Sequence, residues 1–269
     1  MTSHDRGSTS TAPDEEPRSS HTGAGRRERR KRKQLPLWQE TILLLGVALV
    51  LAIVIKAFFV QAFYIPSECM EPGLVKNDRI LIQKVSYWGG GEPERGDVVV
   101  FKDPGGWLGP ADAAGPTNPV AQVMAKIGLY PTGGHLVKRV IGVSGDTIEC
   151  CDKQGRLLVN GQPLDEDSYV KRLGAACNGP MPTGGACDEK WSVGPIPEGH
   201  IFVMGDNRSQ SADSSRHMCR PDVTECVPGE EFVPVNLVVG KVFVLLWPAD
   251  RFRWETRPET FESVPDPSS

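Results

Sequence analysis

The stretch Trp38–Val60, WQETILLLGVALVLAIVIKAFFV, decides how the chain is organised. From Ile42 to Ile55 it carries no charge and is built from Leu, Ile, Val and Ala with one glycine, Gly46. At about 1.5 Å per residue, a helix of this length crosses a hydrocarbon core of about 30 Å. Glu40 falls at one edge within reach of water, Lys56 can extend its amine to the other interface, and Trp38 suits an interfacial anchor. The basic run Arg26-Arg27-Glu28-Arg29-Arg30-Lys31-Arg32-Lys33 lies just before this segment. Basic clusters flanking a span stay on the cytoplasmic side, so the N-terminus is expected inside and everything beyond about residue 60 outside. A nucleic-acid patch is the bland reading of that run, but its place beside an apolar span favours topology. A cleaved leader fits poorly, because no small-x-small site follows, only Lys56 to Tyr64.

Working outward, residues 1–34 hold nine Lys/Arg against five Asp/Glu, while the rest of the 269-residue chain has an acidic excess. A basic tail on an acidic body argues against nucleic acid as a partner of the body. Residues 1–34 have almost no large apolar group and are expected to be a disordered cytoplasmic tail. The further expected divisions are an anchor over 35–62, an extracytoplasmic domain over 63–250 and a polar C-terminal tail over 251–269. The lipid bilayer is the first expected partner, at the cell (plasma) membrane in a single pass, and a monomer is expected.

All seven cysteines follow the anchor: Cys69, Cys150, Cys151, Cys177, Cys187, Cys219 and Cys226. Outside the membrane disulfides are permitted, and an odd count leaves one over. Cys177/Cys187 and Cys219/Cys226 close short loops and are the favoured pairs. Cys150 and Cys151 are neighbours whose side chains alternate on a strand, so pairing with each other is not expected. No Cys-x-x-Cys spacing occurs, so neither a metal nor any other cofactor is expected, even with His217 nearby.

The body reads as mainly β. Arg79–Val85, Val98–Phe101, Leu136–Val143, Ile201–Met204 and Val238–Trp247 are apolar β-forming runs bounded by turn residues. Leu157–Leu164 carries Asn160-Gly161 at its centre, a hairpin signal, within an expected inserted β subdomain over about 147–200. Asn118-Pro119 opens a short helix, with Asn as cap and Pro at the first position, whose Val120, Val123, Met124 and Ile127 stripe should pack on the sheet.

Four segments carry chemistry: Tyr64–Leu74 (YIPSECMEPGL), Arg95–Lys102 (RGDVVVFK), Lys138–Asp146 (KRVIGVSGD) and Gly205–Arg216 (GDNRSQSADSSR). Each alone has a bland explanation as a turn, a strand entry or, for Cys69, a lipidation site. Lys138 is less bland, because its alternate neighbours Leu136 and Val140 are apolar and its side chain should be buried with them. A lysine withdrawn from water favours its neutral form, and a neutral amine is a competent general base. Cys69 or Ser67 could supply the nucleophile it needs.

In this order the four segments resemble the signature boxes of type I signal (leader) peptidases, which are membrane-bound Ser/Lys endopeptidases. The resemblance runs from about residue 40 to 250. It implies an N-terminal transmembrane helix, an antiparallel β-sheet catalytic body, and removal of N-terminal signal peptides from exported preproteins after small-x-small sites. It places the nucleophile at Cys69, where the family has serine, and the general base at Lys138. Ser67 and the backbone N–H of Cys69 fall on the oxyanion hole, Ser211 on the lysine-orienting serine, and Asp206, Asp213 and Arg216 on the supporting box. Gly73 stands where the family has threonine, and the additional serine in Ser214-Ser215 leaves Arg216 open by one residue. Signal peptides are the implied partners, and Tyr64–Ser67 is an extended stretch to which a peptide could add as a strand.

The thiol leaves alternatives open. A Cys/Lys dyad is the first reading, slower than a serine form because a larger sulfur displaces the reacting atom. A catalytically impaired relative that still binds signal peptides is the second. A Cys/His protease using His135, His200 or His217 is the third, and a redox or structural module the last.

Overall fold

A computed structural model of the protein describes residues 36–109, 114–115, 117–126, 133–171, 190–219 and 226–267. The expected tail over 1–34 and the Cys177/Cys187 pair lie outside these residues. Leu37–Phe58 forms helix α1, and its Leu37–Ile55 portion is long and apolar enough to cross a membrane.

The body is built on one antiparallel sheet. Its order is β1 (Val60–Tyr64), β2 (Arg79–Gln83), β11 (Val238–Trp247), β3 (Val98–Lys102), β4 (His135–Gly142), β9 (His200–Met204) and β10 (Val233–Pro234). A further strand, β12 (Arg253–Trp254), pairs with β11. The period-2 geometry of a strand explains why the central runs are apolar on both faces. Val98 and Val100 of β3 join Met70, Ile80 and Ile82 in one cluster, whereas Val99 and Phe101 join Leu136, Val140 and Val203 in another. The fold is therefore mainly β, with every strand pair antiparallel, as the sequence pattern implies.

A second sheet follows β4, in the order β7 (Gln162–Pro163), β6 (Leu158–Val159), β5 (Ile148–Cys150) and β8 (Trp191–Val193). Its hairpin turns on Asn160 (φ 51°) and Gly161 (φ 78°), the left-handed pair that a tight two-residue hairpin requires. Ile148, Leu157, Val159 and Leu164 pack with Ile141, Phe202 and Met204 of the larger sheet.

Three expectations need correction. Cys150 and Cys151 are disulfide-bonded to each other: strand β5 ends at Cys150, so the alternation of a strand does not extend to Cys151. The expected Cys219–Cys226 disulfide is present. Helix α2 (Pro119–Lys126) starts as expected, with Asn118 Oδ1 accepting from Val120 N at 2.9 Å. Two residues of its stripe do not pack, Val120 being 66% and Val123 60% exposed, while Ala125 is buried; the Met124 side chain and Ile127 lie outside the described residues. Finally, the C-terminal segment expected as a polar tail joins the body. Phe261 and Val264 are buried in the cluster under the second sheet, and Asn160 donates to Pro265 O at 2.9 Å.

Candidate active site

The loop between β1 and β2 presents Cys69. Ile65, Met70 and Leu74 are buried beneath it as apolar anchors, while Pro66, Ser67 and Glu68 stay exposed. The loop closes on itself through Glu71 N to Glu68 O at 3.2 Å and Leu74 N to Met70 O at 2.9 Å. Burial of three apolar side chains around a short polar tip thus fixes where residue 69 can lie.

Strand β9 ends at Met204, opposite Arg139, so His135–Lys138 of β4 extend past it. Cys69 lies against this stretch. Its thiol donates to Val137 O at 3.7 Å and accepts from Ser67 Oγ at 3.3 Å. Cys69 is a free, buried cysteine. Lys138 is the next residue along β4; it is 3% exposed, and its flanking partners Leu136 and Val140 are buried too. Lys138 Nζ makes no hydrogen bond or ion pair among the described residues.

Beyond Met204 the chain turns through Gly205–Asn207 and meets the Cys69 loop. A Cβ on Gly205 would lie 2.4 Å from Ser211 Oγ and 2.5 Å from Cys69 O, so only glycine lets these groups converge. Ser211 Oγ is buried with no hydrogen-bond partner among the described residues. Asn207 donates its N–H to Cys69 O at 3.0 Å and its side-chain amide to Glu68 O at 3.0 Å. The geometry therefore brings Ser67, Cys69, Ser211 and the strand bearing Lys138 to one place.

Asp213 sits one step out. Its carboxylate accepts from Gly205 N at 2.9 Å, from Ser215 N at 3.1 Å and from Ser215 Oγ at 2.6 Å, capping helix α3 (Ser214–His217). Asp206 is buried and holds Arg139 by two hydrogen bonds, 2.9 and 2.7 Å, while Arg139 also donates to Gly96 O and reaches Glu255. Burial works against the Arg139 charge, but Asp206 and then Glu255 outweigh it and keep the guanidinium more firmly protonated than in water.

Arg216 meets this group through its backbone, donating its N–H to Asp213 O at 2.9 Å. It is exposed on α3, and Ser215 takes the buried place beside Asp213.

Several residues had no assigned role in the sequence reading. Arg139, Asn207, Glu166, Arg208 and Tyr169 all support the site. Arg139 had a signal: its alternate neighbours Val137 and Ile141 are apolar, and a charge buried on such a face needs a partner. Glu166 had none, because its partner Arg208 is 42 residues away. The three candidate histidines make other contacts: His135 Nδ1 meets Gly133 O at 2.7 Å, His200 Nδ1 meets Glu198 O at 2.9 Å, and His217 stacks on Trp107. Among the described residues the Cys69 thiol bonds only Ser67 and Val137.

An antiparallel β body preceded by one apolar helix, with a thiol, a serine pair and a buried lysine strand converging at one loop, is the architecture at hand. The signal peptidase, peptidase S26 family model matches residues 38–247, and the chain belongs to that family. It is 36% identical over 253 residues to signal peptidase I of Mycobacterium tuberculosis, covering 90% of this chain and 83% of that protein. It is 35% identical over 236 residues to a probable signal peptidase I of Mycobacterium leprae, covering 82% and 80%. To signal peptidase I of Leptolyngbya laminosa it is 32% identical, covering 79% and 81%.

Proposed function

We propose that this chain is a membrane-anchored endopeptidase that removes signal peptides from exported preproteins after small-x-small sites, using a Cys69/Lys138 dyad. Residues 63–250 would form the peptidase domain, held by a single span with the N-terminus in the cytoplasm. The observation that carries the reading is the placing of the Cys69 thiol on Val137 O, one residue from the buried Lys138 and within 3.3 Å of Ser67 Oγ.

In this reading Lys138 takes the thiol proton and the sulfur attacks the scissile carbonyl carbon. Ser67 Oγ–H and the Cys69 N–H donate to the oxyanion, an arrangement in which one donor is worth about 3 kcal/mol of barrier. Collapse expels the new N-terminal amine, which takes the proton back from the Lys138 ammonium and leaves a thioester on Cys69. Water, deprotonated by Lys138, then hydrolyses the thioester to the signal-peptide carboxylate and the free thiol. Ser211, buried and without a hydrogen-bond partner among the described residues, is the group that would orient the amine, while Asp206 and Asp213 hold the loop that carries it.

One observation favours a second reading, a relative that binds signal peptides without cutting them: the thiol proton is directed at Val137 O, and Lys138 Nζ makes no bond to it. The deciding experiment is preprotein cleavage by the detergent-solubilised chain beside Cys69→Ser, each with and without a thiol alkylator. Cleavage by both, blocked by alkylation only in the cysteine form, is the expected result. Cleavage by Cys69→Ser alone would leave the second reading standing.

A further inference from the structure

The segment Glu166–Lys171, which leaves the second sheet, belongs to none of the four boxes, yet it touches both halves of the site. Lys171 N donates to Asp206 O at 2.8 Å and Lys171 O accepts from Arg208 N at 3.3 Å. On its other side Val170 bridges Pro72, and Lys171 Nζ pairs with Glu71 Oε2 at 2.7 Å. The segment is thus a strap laid between the Cys69 loop and the Gly205–Arg208 loop.

Glu166 anchors that strap from below. It is fully buried, and its two carboxylate oxygens take Arg208 Nη1 and Nη2 at 3.1 and 2.6 Å in a forked pair. Such a pair fixes angle as well as distance. The remaining Arg208 donor, Nε, goes to Gly205 O at 3.1 Å. Glu166 Oε1 also accepts from Tyr169 Oη at 3.0 Å, and the Tyr169 ring lies 4.7 Å from the Arg139 guanidinium that holds Asp206. The Gly205–Arg208 loop is thus held by Asp213 at Gly205 N, by Arg139 at Asp206 and, through Arg208, by Glu166 at Gly205 O.

We infer that Glu166 is a positioning residue for the nucleophile: through Arg208 it sets the Gly205–Asn207 loop, and through that loop the place of Cys69 against β4. The inference rests on Cys69 as the reacting group. A carboxamide at 166 keeps the shape but loses the charge that draws the fork together, so the loop is free to shift. A shift of about 1 Å at a reacting atom costs on the order of 100-fold in rate.

The test compares the full chain in detergent with Glu166→Gln and Glu166→Asp. The rate of Cys69 alkylation by iodoacetamide is followed by peptide mass mapping from pH 6 to 10, alongside kcat and KM on a preprotein. Thermal melts establish that each variant is folded at the assay temperature. The expected result is a change of at least about tenfold in the alkylation rate or a displaced pH midpoint in folded Glu166→Gln. It comes with a fall in kcat at little-changed KM, and partial recovery in Glu166→Asp, which keeps the charge. A purely architectural role for Glu166 lowers the melting temperature and leaves the alkylation profile of the folded fraction within twofold of the parent; that result overturns the inference. If Glu166→Gln does not fold, Arg208→Lys, which keeps the charge but loses the fork to Glu166, decides in the same way. A parent that cleaves nothing while the alkylation profiles differ would remove the peptidase reading and leave the positioning role in place.

Discussion

The backbone N–H of Asn207 donates to the carbonyl oxygen of Cys69 at 3.0 Å, and the amide of the same side chain donates to Glu68 O, also at 3.0 Å. Two adjacent carbonyls of the nucleophile loop are thereby held by one residue of a loop 138 positions further on, counting from Cys69 to Asn207. Asn207→Ala keeps the first bond and removes the second, leaving Glu68 O, among the described residues, with the 3.2 Å donor Glu71 N. A net hydrogen bond of this kind is worth about 1 kcal/mol, so kcat should fall roughly fivefold, with the melting temperature lowered by no more than a few degrees. Steady-state cleavage of a preprotein at saturating concentration checks this, and an unchanged kcat would show that the backbone bond suffices.

Gly205→Ala is the harsher change. The new methyl would meet Ser211 Oγ at 2.4 Å and Cys69 O at 2.5 Å, and the second of these is backbone, which can yield only if the loop moves. Overpacking typically costs about 1–3 kcal/mol of stability, and moving the carbonyl of residue 69 moves the thiol with it. Activity should fall by about 100-fold or more while the chain still folds. A variant that keeps parental activity would mean that Ser211 and Cys69 are less tightly placed than the distances state.

Much of this arrangement can be read from the chain, and the part that cannot has a physical cause. The strands are legible because β3 and β4 are runs of branched apolar residues, and the tight hairpin because Asn160-Gly161 accepts positive φ. Burial of Lys138 follows from period-2 alternation with Leu136 and Val140. The Cys150–Cys151 disulfide is hidden because strand alternation sends neighbours to opposite faces, and the sequence does not show that β5 stops at Cys150. The exposure of Val120 and Val123 is hidden because a helical stripe states only that one face is apolar. The Glu166–Arg208 pair is hidden because the partners are set side by side by the second sheet and not by any local spacing.

Gly73, where the resemblance leads one to expect threonine, gives a prediction of the opposite sign. A Cβ there would meet Arg253 Nη2 at 3.4 Å, Met70 O at 3.5 Å and Asp206 Oδ2 at 3.6 Å, which is ordinary contact. Gly73→Thr should therefore fold, and removing a glycine's freedom from the unfolded chain should add roughly 0.4–1 kcal/mol. The hydroxyl would also lie close to the Asp206 carboxylate. The melting temperature of Gly73→Thr should match or exceed the parent's; a clear decrease would mean that the Arg251 and Arg253 bonds to Gly73 O, both 2.9 Å, cannot tolerate the added group.

Burial of two histidines makes a part of the stability depend on pH. Burial pushes His217 below its ordinary value, Asp213 and Glu230 oppose the shift, Arg216 adds to it and Asp103 opposes it. His135 is lowered in the same sense by burial, with its bond to Gly133 O acting against the shift and Lys102 with it. The geometry agrees: His217 lies flat on Trp107 at 4.5 Å, with Nε2 buried and without an acceptor among the described residues, so a second ring proton has nowhere to go. The unfolded chain therefore takes up a proton near the ordinary value of about 6.5, before the folded chain does. The contribution is fully present above that value and is lost as pH falls through it towards the lower folded pKa. His217→Phe keeps the stacked ring and cannot be protonated. Its melting temperature should fall less steeply than the parent's between pH 7 and pH 5, with a residual slope from His135 and the carboxylates. Parallel slopes in the two proteins would show that His217 is as easily protonated in the folded chain as in the unfolded one.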